Sequence, residues 1–173
     1  MLGLLREFFD RENEPFVVVG GLAMLTYGAT RNTFDCDLLV RSEVRPKLSA
    51  FLESAGYKTS SETAAFSNHV HPDLDLGRVD ILYVDDDTAH QVFDARRTVR
   101  VDDTLHMTVP SADHLIAMKT QSLAANPERR SDVEDLQTLL ARTDVDRRAA
   151  ERQFQANGLT ELYRGLMERV RRR

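Results

Sequence analysis

The 173-residue chain has no tryptophan, a single cysteine, five prolines and no apolar run that approaches membrane-spanning length. Each scarcity excludes something. One cysteine rules out an intrachain disulfide and any Cys-x-x-Cys pair, and accords with a reducing compartment. Without about 20 consecutive apolar residues no membrane-spanning helix is expected. Residues Met1 to Phe9 have no basic segment and carry Arg6-Glu7 where a secretion signal needs an unbroken apolar core, so a cytoplasmic protein is expected. No Walker loop, dinucleotide fingerprint, nucleophile motif, low-complexity linker or solenoid repeat occurs.

What is present is an ordinary globular composition, 42% hydrophobic and 29% charged, long enough for one domain with a real core. The net charge of -5 is unevenly spread. From Arg147 to Arg173 eight arginines stand against three glutamates, giving +5, so residues 1 to 146 carry -10. A basic C-terminal segment on an acidic body suits the phosphates of RNA, the plainer account being a solvated chain end.

The centre of the chain is Phe16-Val17-Val18-Val19-Gly20-Gly21-Leu22-Ala23, followed by Arg31-Asn32-Thr33-Phe34-Asp35-Cys36-Asp37-Leu38-Leu39-Val40. A β-branched run, a glycine pair and a second apolar run read as strand, tight turn into a helix, and strand. The second strand carries two carboxylates into an apolar run. Unpaired carboxylates are strongly unfavourable in a buried strand, so the pair asks for a cation. Side chains alternate along a strand, which puts Asp35 and Asp37 on one face and Cys36 on the other. Their hard oxygens suit Mg²⁺ or Mn²⁺. A turn or a solvated edge is the plainer explanation of an Asp-x-Asp. Against it stands a third acid, Asp80, inside the β-rich run Gly77 to Val84.

This pattern resembles the nucleotidyltransferase superfamily typified by DNA polymerase β: a hydrophobic strand, Gly-Gly, a gap, Asp-x-Asp and a later acid on a neighbouring strand. Gly20, Gly21, Asp35, Asp37 and Asp80 carry the match. Within the superfamily, Gly-Gly-Leu-Ala, Arg31 to Leu38, Val109 to Lys119 and Arg129 to Leu136 look like the minimal bacterial AbiEii-like toxin group. The resemblance implies a metal-dependent transfer of a nucleoside monophosphate from an NTP, with two Mg²⁺ or Mn²⁺ ions held by Asp35, Asp37 and Asp80. It makes Asp80 the group that helps deprotonate the attacking hydroxyl. Gly20 and Gly21 would let the backbone approach the phosphates, and Arg31, Thr33 and Lys119 would contact them. The acceptor it implies is RNA, in particular tRNA ends, or a protein hydroxyl, with an antitoxin partner. Two alternatives stand beside it. One is an antibiotic nucleotidyltransferase of the aminoglycoside or lincosamide type, with Asp73, Asp75 and Asp85 to Asp87 as an acidic pocket for a cationic drug. The other is a non-catalytic antitoxin or regulatory protein that keeps the fold.

Other residues have competing explanations. Lys119 is otherwise an exposed lysine on the polar face of a helix, and Asp132 and Asp135 are explained by stabilisation of a helix N-terminus. His69, His71, Asp73 and Asp75 form a candidate metal set or an incidental His-x-His. Cys36 and His114 are expected to pack or face solvent, and Asp85 to Asp87 to form a solvated turn.

The elements expected are helices over 2–12, 22–27, 43–54 and 88–94, and strands over 16–19, 35–40, 57–59, 78–84, 98–101 and 105–109. Residues 66–76 read as a strand with a loop. After Pro110, Ser111 caps a helix over 112–125, followed by helices near 129–141, 145–156 and 159–171. Strands first and helices last predict an α+β fold: a mixed twisted sheet flanked by helices as a catalytic core over 1–109, with a C-terminal helical region over 110–173 packed on it as one unit.

Overall fold

The chain opens with α1 (Leu2–Glu12), whose Leu5, Phe8 and Phe9 recur at helical spacing and are buried. Phe9 stacks on Phe16 with ring centroids 4.5 Å apart, and Phe8 on Phe51 at 4.8 Å. Asn13 adopts the left-handed conformation, φ 53°, and ends the helix. This computed structural model describes residues 1–30, 33, 35–73, 75–101 and 106–172. It divides into two units, Met1–Leu25 with Arg31–Pro110, and Thr26–Thr30 with Ser111–Arg173.

In the first unit β1 (Val17–Val18), β2 (Asp35–Arg41), β3 (Lys58–Glu62), β4 (Phe66–Val70) and β5 (Arg78–Val84) form one sheet in the order β1-β2-β5-β4-β3. Only β2 and β5 among these neighbours run parallel; the other pairs are antiparallel, so the sheet is mixed. Cys36, Leu38 and Val40 of β2, and Val79 and Ile81 of β5, are fully buried on one face. Between the strands lie α2 (Gly20–Thr26) and α3 (Arg45–Ser54), and α4 (Asp86–Asp94) follows β5. A separate hairpin pairs β6 (Arg97–Arg100) with β7 (His106–Val109), and β7 lies against β1.

The second unit is helical: α5 (Ala112–Ala125), α6 (Arg130–Leu140), α7 (Arg147–Ala156) and α8 (Thr160–Arg171). Ser111 caps α5 as its sequence position predicts, its Oγ accepting from the His114 backbone N–H at 3.3 Å. The Asp146 carboxylate caps α7 through the N–H groups of Arg148 and Ala149. α5 packs on α6 and α7, and α8 on α6 and α7. The α+β architecture, with strands leading and helices closing, is the expected one. Among the described residues no helix is long and apolar enough to cross a membrane.

Most boundaries fall within a few residues of expectation, and three differences have a plain physical cause. β3 extends over Lys58–Glu62 although every residue in it is exposed. It pairs with β4 alone at the end of the sheet order, where a polar strand is tolerated and protects the edge. β4 stops at Val70; the chain after it turns back, with the His71 N–H donating to the Gly77 carbonyl at 3.3 Å. α4 begins at Asp86, and Asp85, expected in a solvated turn, is its N-cap, accepting from the Thr88 N–H at 2.8 Å.

Candidate active site

Because Cys36 faces the core, Asp35 and Asp37 point to the other face of β2. The parallel register sets Asp37 beside Asp80 and Asp35 beside Arg78. All three carboxylates therefore lie on one face of two adjacent strands, as expected. The Asp80 Oδ1 accepts from Arg78 Nε at 2.7 Å and from Asn68 Nδ2 at 2.8 Å. Asn68 is the direct cross-strand neighbour of Asp80 on β4. The hydrogen bond from Arg78 to Asp80 is the main cause that raises the Arg78 pKa above its ordinary value, and the charges of Asp35 and Asp37 add to it. Arg78 is thus a cation that this face supplies for itself. Behind the acids, burial first and the Asp37 charge second push the Cys36 thiol up to about 12, which keeps it protonated and inert.

The glycine pair is fixed by close approach. Gly20 has φ +60°, and a Cβ built there would meet the Asp37 carboxylate and lie 2.9 Å from its Cβ. A Cβ on Gly21 would lie 2.6 Å from Thr33 Oγ1. The Val19 N–H donates to the Asp37 carbonyl at 2.8 Å, tying the β1 end to the acid strand. Gly20 therefore abuts Asp37, and Gly21 abuts Thr33. Arg31 lies outside the described residues.

Oxygen donors of this kind match a hard divalent cation, and the closeness of Asp37 to Asp80 suits a shared ion. Among the described residues no three His, Cys, Asp or Glu side chains are gathered tightly enough to hold an ion as they stand. Asp80 is turned to Arg78 and Asn68 instead.

Other candidates have partners of their own. Lys119 is not an exposed helix lysine: it is 7% exposed, its Nζ 2.8 Å from Asp132 Oδ1 and 2.6 Å from Asp135 Oδ2. Both acids are 1% exposed, so surface charge stabilisation of a helix end does not account for them. Ser122 Oγ and Arg129 Nε also donate to Asp132 Oδ2, at 2.9 and 2.8 Å. Burial by itself would raise the Asp132 pKa, but Lys119, Ser122 and Arg129 outweigh it and hold the carboxyl below its ordinary value. His69 is fully buried and bonded to Ser67, while His71 accepts from the Asp73 N–H, so the His-x-His pair does not converge. Asp73 and Asp75 precede β5 and Asp85 to Asp87 follow it. Seven strand residues, roughly 23 Å, separate the two groups, so they do not line one pocket.

Arg78 and Asn68 were missed in the sequence. Arg78 had a signal, since i and i+2 share a face and Arg78 stands two residues before Asp80. Asn68 had none, because its role depends on the β4–β5 register.

No family model and no curated protein matches the chain. Solved structures do. The solution structure of the antibiotic-resistance factor ANT(2'')-Ia aligns with a TM-score of 0.62 at 17% identity, covering 97% of this chain and 90% of that one. The fold is that of the nucleotidyltransferases. ANT(2'')-Ia in complex with adenylyl-2''-tobramycin aligns at 0.59 and 18% identity, covering 97% and 95%. The lincosamide antibiotic adenylyltransferase LnuA, lincomycin-bound, aligns at 0.59 and 18% identity, covering 80% of this chain and 94% of that one. None of these structures is described as a toxin, so the expected toxin-group likeness has no counterpart among them.

Proposed function

We propose that this nucleotidyltransferase-like protein transfers a nucleoside monophosphate from an NTP to a hydroxyl of a small molecule, as the antibiotic adenylyltransferases that share its fold do. The observation that carries the reading is the register that sets Asp37 beside Asp80, with Gly20 pressed against Asp37. Fold likeness alone would not carry it. Asp35, Asp37 and Asp80 are the residues that would hold divalent ions. Such ions, when bound, neutralise triphosphate charge and lower the pKa of a nearby hydroxyl.

The chain's own groups supply the rest. By resemblance the backbone at Gly20 and Gly21, with no side chain in the way, meets the phosphates, and Thr33, seated on Gly21, and Arg31 are assigned contacts to them. The acceptor oxygen attacks the α-phosphorus, its proton passes to Asp80, and the α–β bridging P–O bond breaks to release pyrophosphate. Asn68 and Arg78 orient the Asp80 carboxylate through its Oδ1. Lys119 is left out of the phosphate contacts because its charge is already met by Asp132 and Asp135.

An RNA acceptor is the second reading, supported by the eight arginines of residues 147–173. Steep weakening of binding with ionic strength would mark it.

The test is label transfer from α-labelled NTPs with Mg²⁺ and a panel of hydroxyl acceptors, small molecules and tRNA. Transfer to a small molecule is expected, and Asp37→Ala should lower it by about a thousandfold or more, the size of several kcal/mol of lost charge stabilisation. Equal transfer by the variant would remove the assignment.

A further inference from the structure

Five large apolar side chains are exposed among the described residues, and three of them lie on one sheet face: Phe66 at 37%, Val70 at 41% and Leu82 at 37%. Phe66 and Val70 flank Asn68 on β4, two residues to either side, and therefore share its face. Leu82 is two residues beyond Asp80 on β5, and Phe66 and Leu82 are direct cross-strand partners, as are Asn68 and Asp80. The register therefore lays out an apolar pair, then the Asn68–Asp80 pair, then Val70 beside Arg78. The patch lies on the same face as the three acids.

The strand order says what such a patch can meet. Gly20 lies at the β1 side of Asp37, and β5 and then β4 lie at the other side. In phosphoryl transfer the entering and leaving oxygens stand roughly in line across the phosphorus. With the phosphates received at Gly20 and Gly21, the nucleophile has to come from the β5–β4 side, over Asp80. The geometry points to Phe66, Leu82 and Val70 as the acceptor platform: they select a hydroxyl-bearing small molecule with an alkyl or aromatic face, laid on the platform with its hydroxyl at Asp80. This inference rests on the nucleotidyltransferase reading above and adds the chemistry of the acceptor.

Size and polarity narrow the class. From Phe66 to Val70 is four strand steps, about 13 Å, and the neighbouring strand is about 4.8 Å away. That area fits one ring system or a short alkyl chain and is far below the roughly 800 Å² that each partner contributes to a stable protein interface. Arg78 stands beside Val70 at one end of the platform and is already paired with Asp80, so the apolar side chains, not charge, set the preference. An acceptor with an apolar side is therefore favoured over an aminoglycoside, which is polar all round.

Calorimetric titration of the full chain separates the inference from the reading beneath it. A non-hydrolysable ATP analogue with Mn²⁺ is titrated first, then lincomycin, which carries an alkyl chain, and tobramycin, a polycation, each into the nucleotide-loaded protein. Lincomycin should bind more tightly than tobramycin. Phe66→Ser and Leu82→Ser should each weaken lincomycin by about tenfold, the scale of lost apolar contacts in a pocket, and leave nucleotide affinity unchanged. Val70→Thr, which exchanges a methyl for a hydroxyl at nearly constant volume, should weaken it in the same direction without disturbing the strand. Nucleotide binding with no lincomycin binding, with tighter tobramycin binding, or with variants equal to wild type would overturn the platform alone. Failure of the wild-type chain to bind nucleotide would overturn the reading, and the platform with it.

Discussion

His69 holds its imidazole inside the sheet, with Nε2 2.8 Å from Ser67 Oγ and Nδ1 3.2 Å from Thr59 Oγ1, and Ser67 Oγ continues to Tyr83 Oη at 2.9 Å. Serine, threonine and tyrosine hydroxyls serve a neutral ring in either tautomer but offer no negative charge to an imidazolium. Burial accordingly lowers the His69 pKa, and Arg45 pushes the same way, against the weaker pull of Glu62, Asp80 and Glu53. His114 is also lowered by burial. The sign follows from linkage. As pH falls through the unfolded value near 6.5, the unfolded chain takes up protons that the folded chain refuses, so stability is lost on acidification. Urea midpoints should therefore fall between about pH 7.5 and pH 5.5, and His69→Gln, which keeps a donor and an acceptor but cannot titrate, should show a shallower fall. Equal slopes for variant and wild type would mean that His69 binds protons equally in the folded and unfolded states. None of this was legible in the sequence, where His69 stood as half of a His-x-His pair. Its environment is made by the β4–β5 and β3–β4 registers, which alternation on a single strand does not reveal.

Elements were read best where local chemistry decides them and least well where a distant partner does. The helix over 112–125 has its stop-start signals in the sequence, and α5 matches it to the residue. α6 illustrates the other case. Asp132 and Asp135 at its start are placed as if to complement a helix dipole, yet they bury against Lys119 of α5, thirteen and sixteen residues back in the chain. Removing one member of a buried ionic group leaves an uncompensated charge, whereas removing charges together is often tolerated. Lys119→Met should thus cost about 3–5 kcal/mol in urea unfolding. Adding Asp135→Leu to that variant should recover part of the loss, because one of the two buried carboxylates that lost Lys119 is gone. If the double variant is less stable than the single, the two groups are not coupled as the distances imply. Asp132 keeps Arg129 and Ser122 in both variants, so recovery is expected to be partial.

At the scale of the whole molecule, the fold class followed from segregation of strands and helices along the chain, and the acid site from alternation on one strand plus a family likeness. The missing piece was long-range. That Asp80 stands beside Asp37, and that Asn68 holds it, depends on strand pairings between distant residues that no single sequence states. The acids also leave residues 1–146 at net -10, against +5 for residues 147–173. A body of that charge, with three carboxylates on one face, gains from a divalent cation bound in the folded state alone. Any ligand of that kind raises stability by mass action, about 2.7 kcal/mol at a hundredfold excess over Kd. For a chain of this length the melting temperature should rise by roughly 5–10 °C. Mn²⁺ should produce this rise in the wild type, and more with NTP present. Asp37→Ala should lose the response. Arg78→Gln supplies the converse: without the Arg78 cation, the face should melt lower in chelator and gain more from Mn²⁺ than the wild type does. A wild-type melting curve indifferent to millimolar Mn²⁺, with and without NTP, would instead identify a protein that keeps the nucleotidyltransferase fold as a binding scaffold, with Arg78 as the permanent counter-ion of its acids.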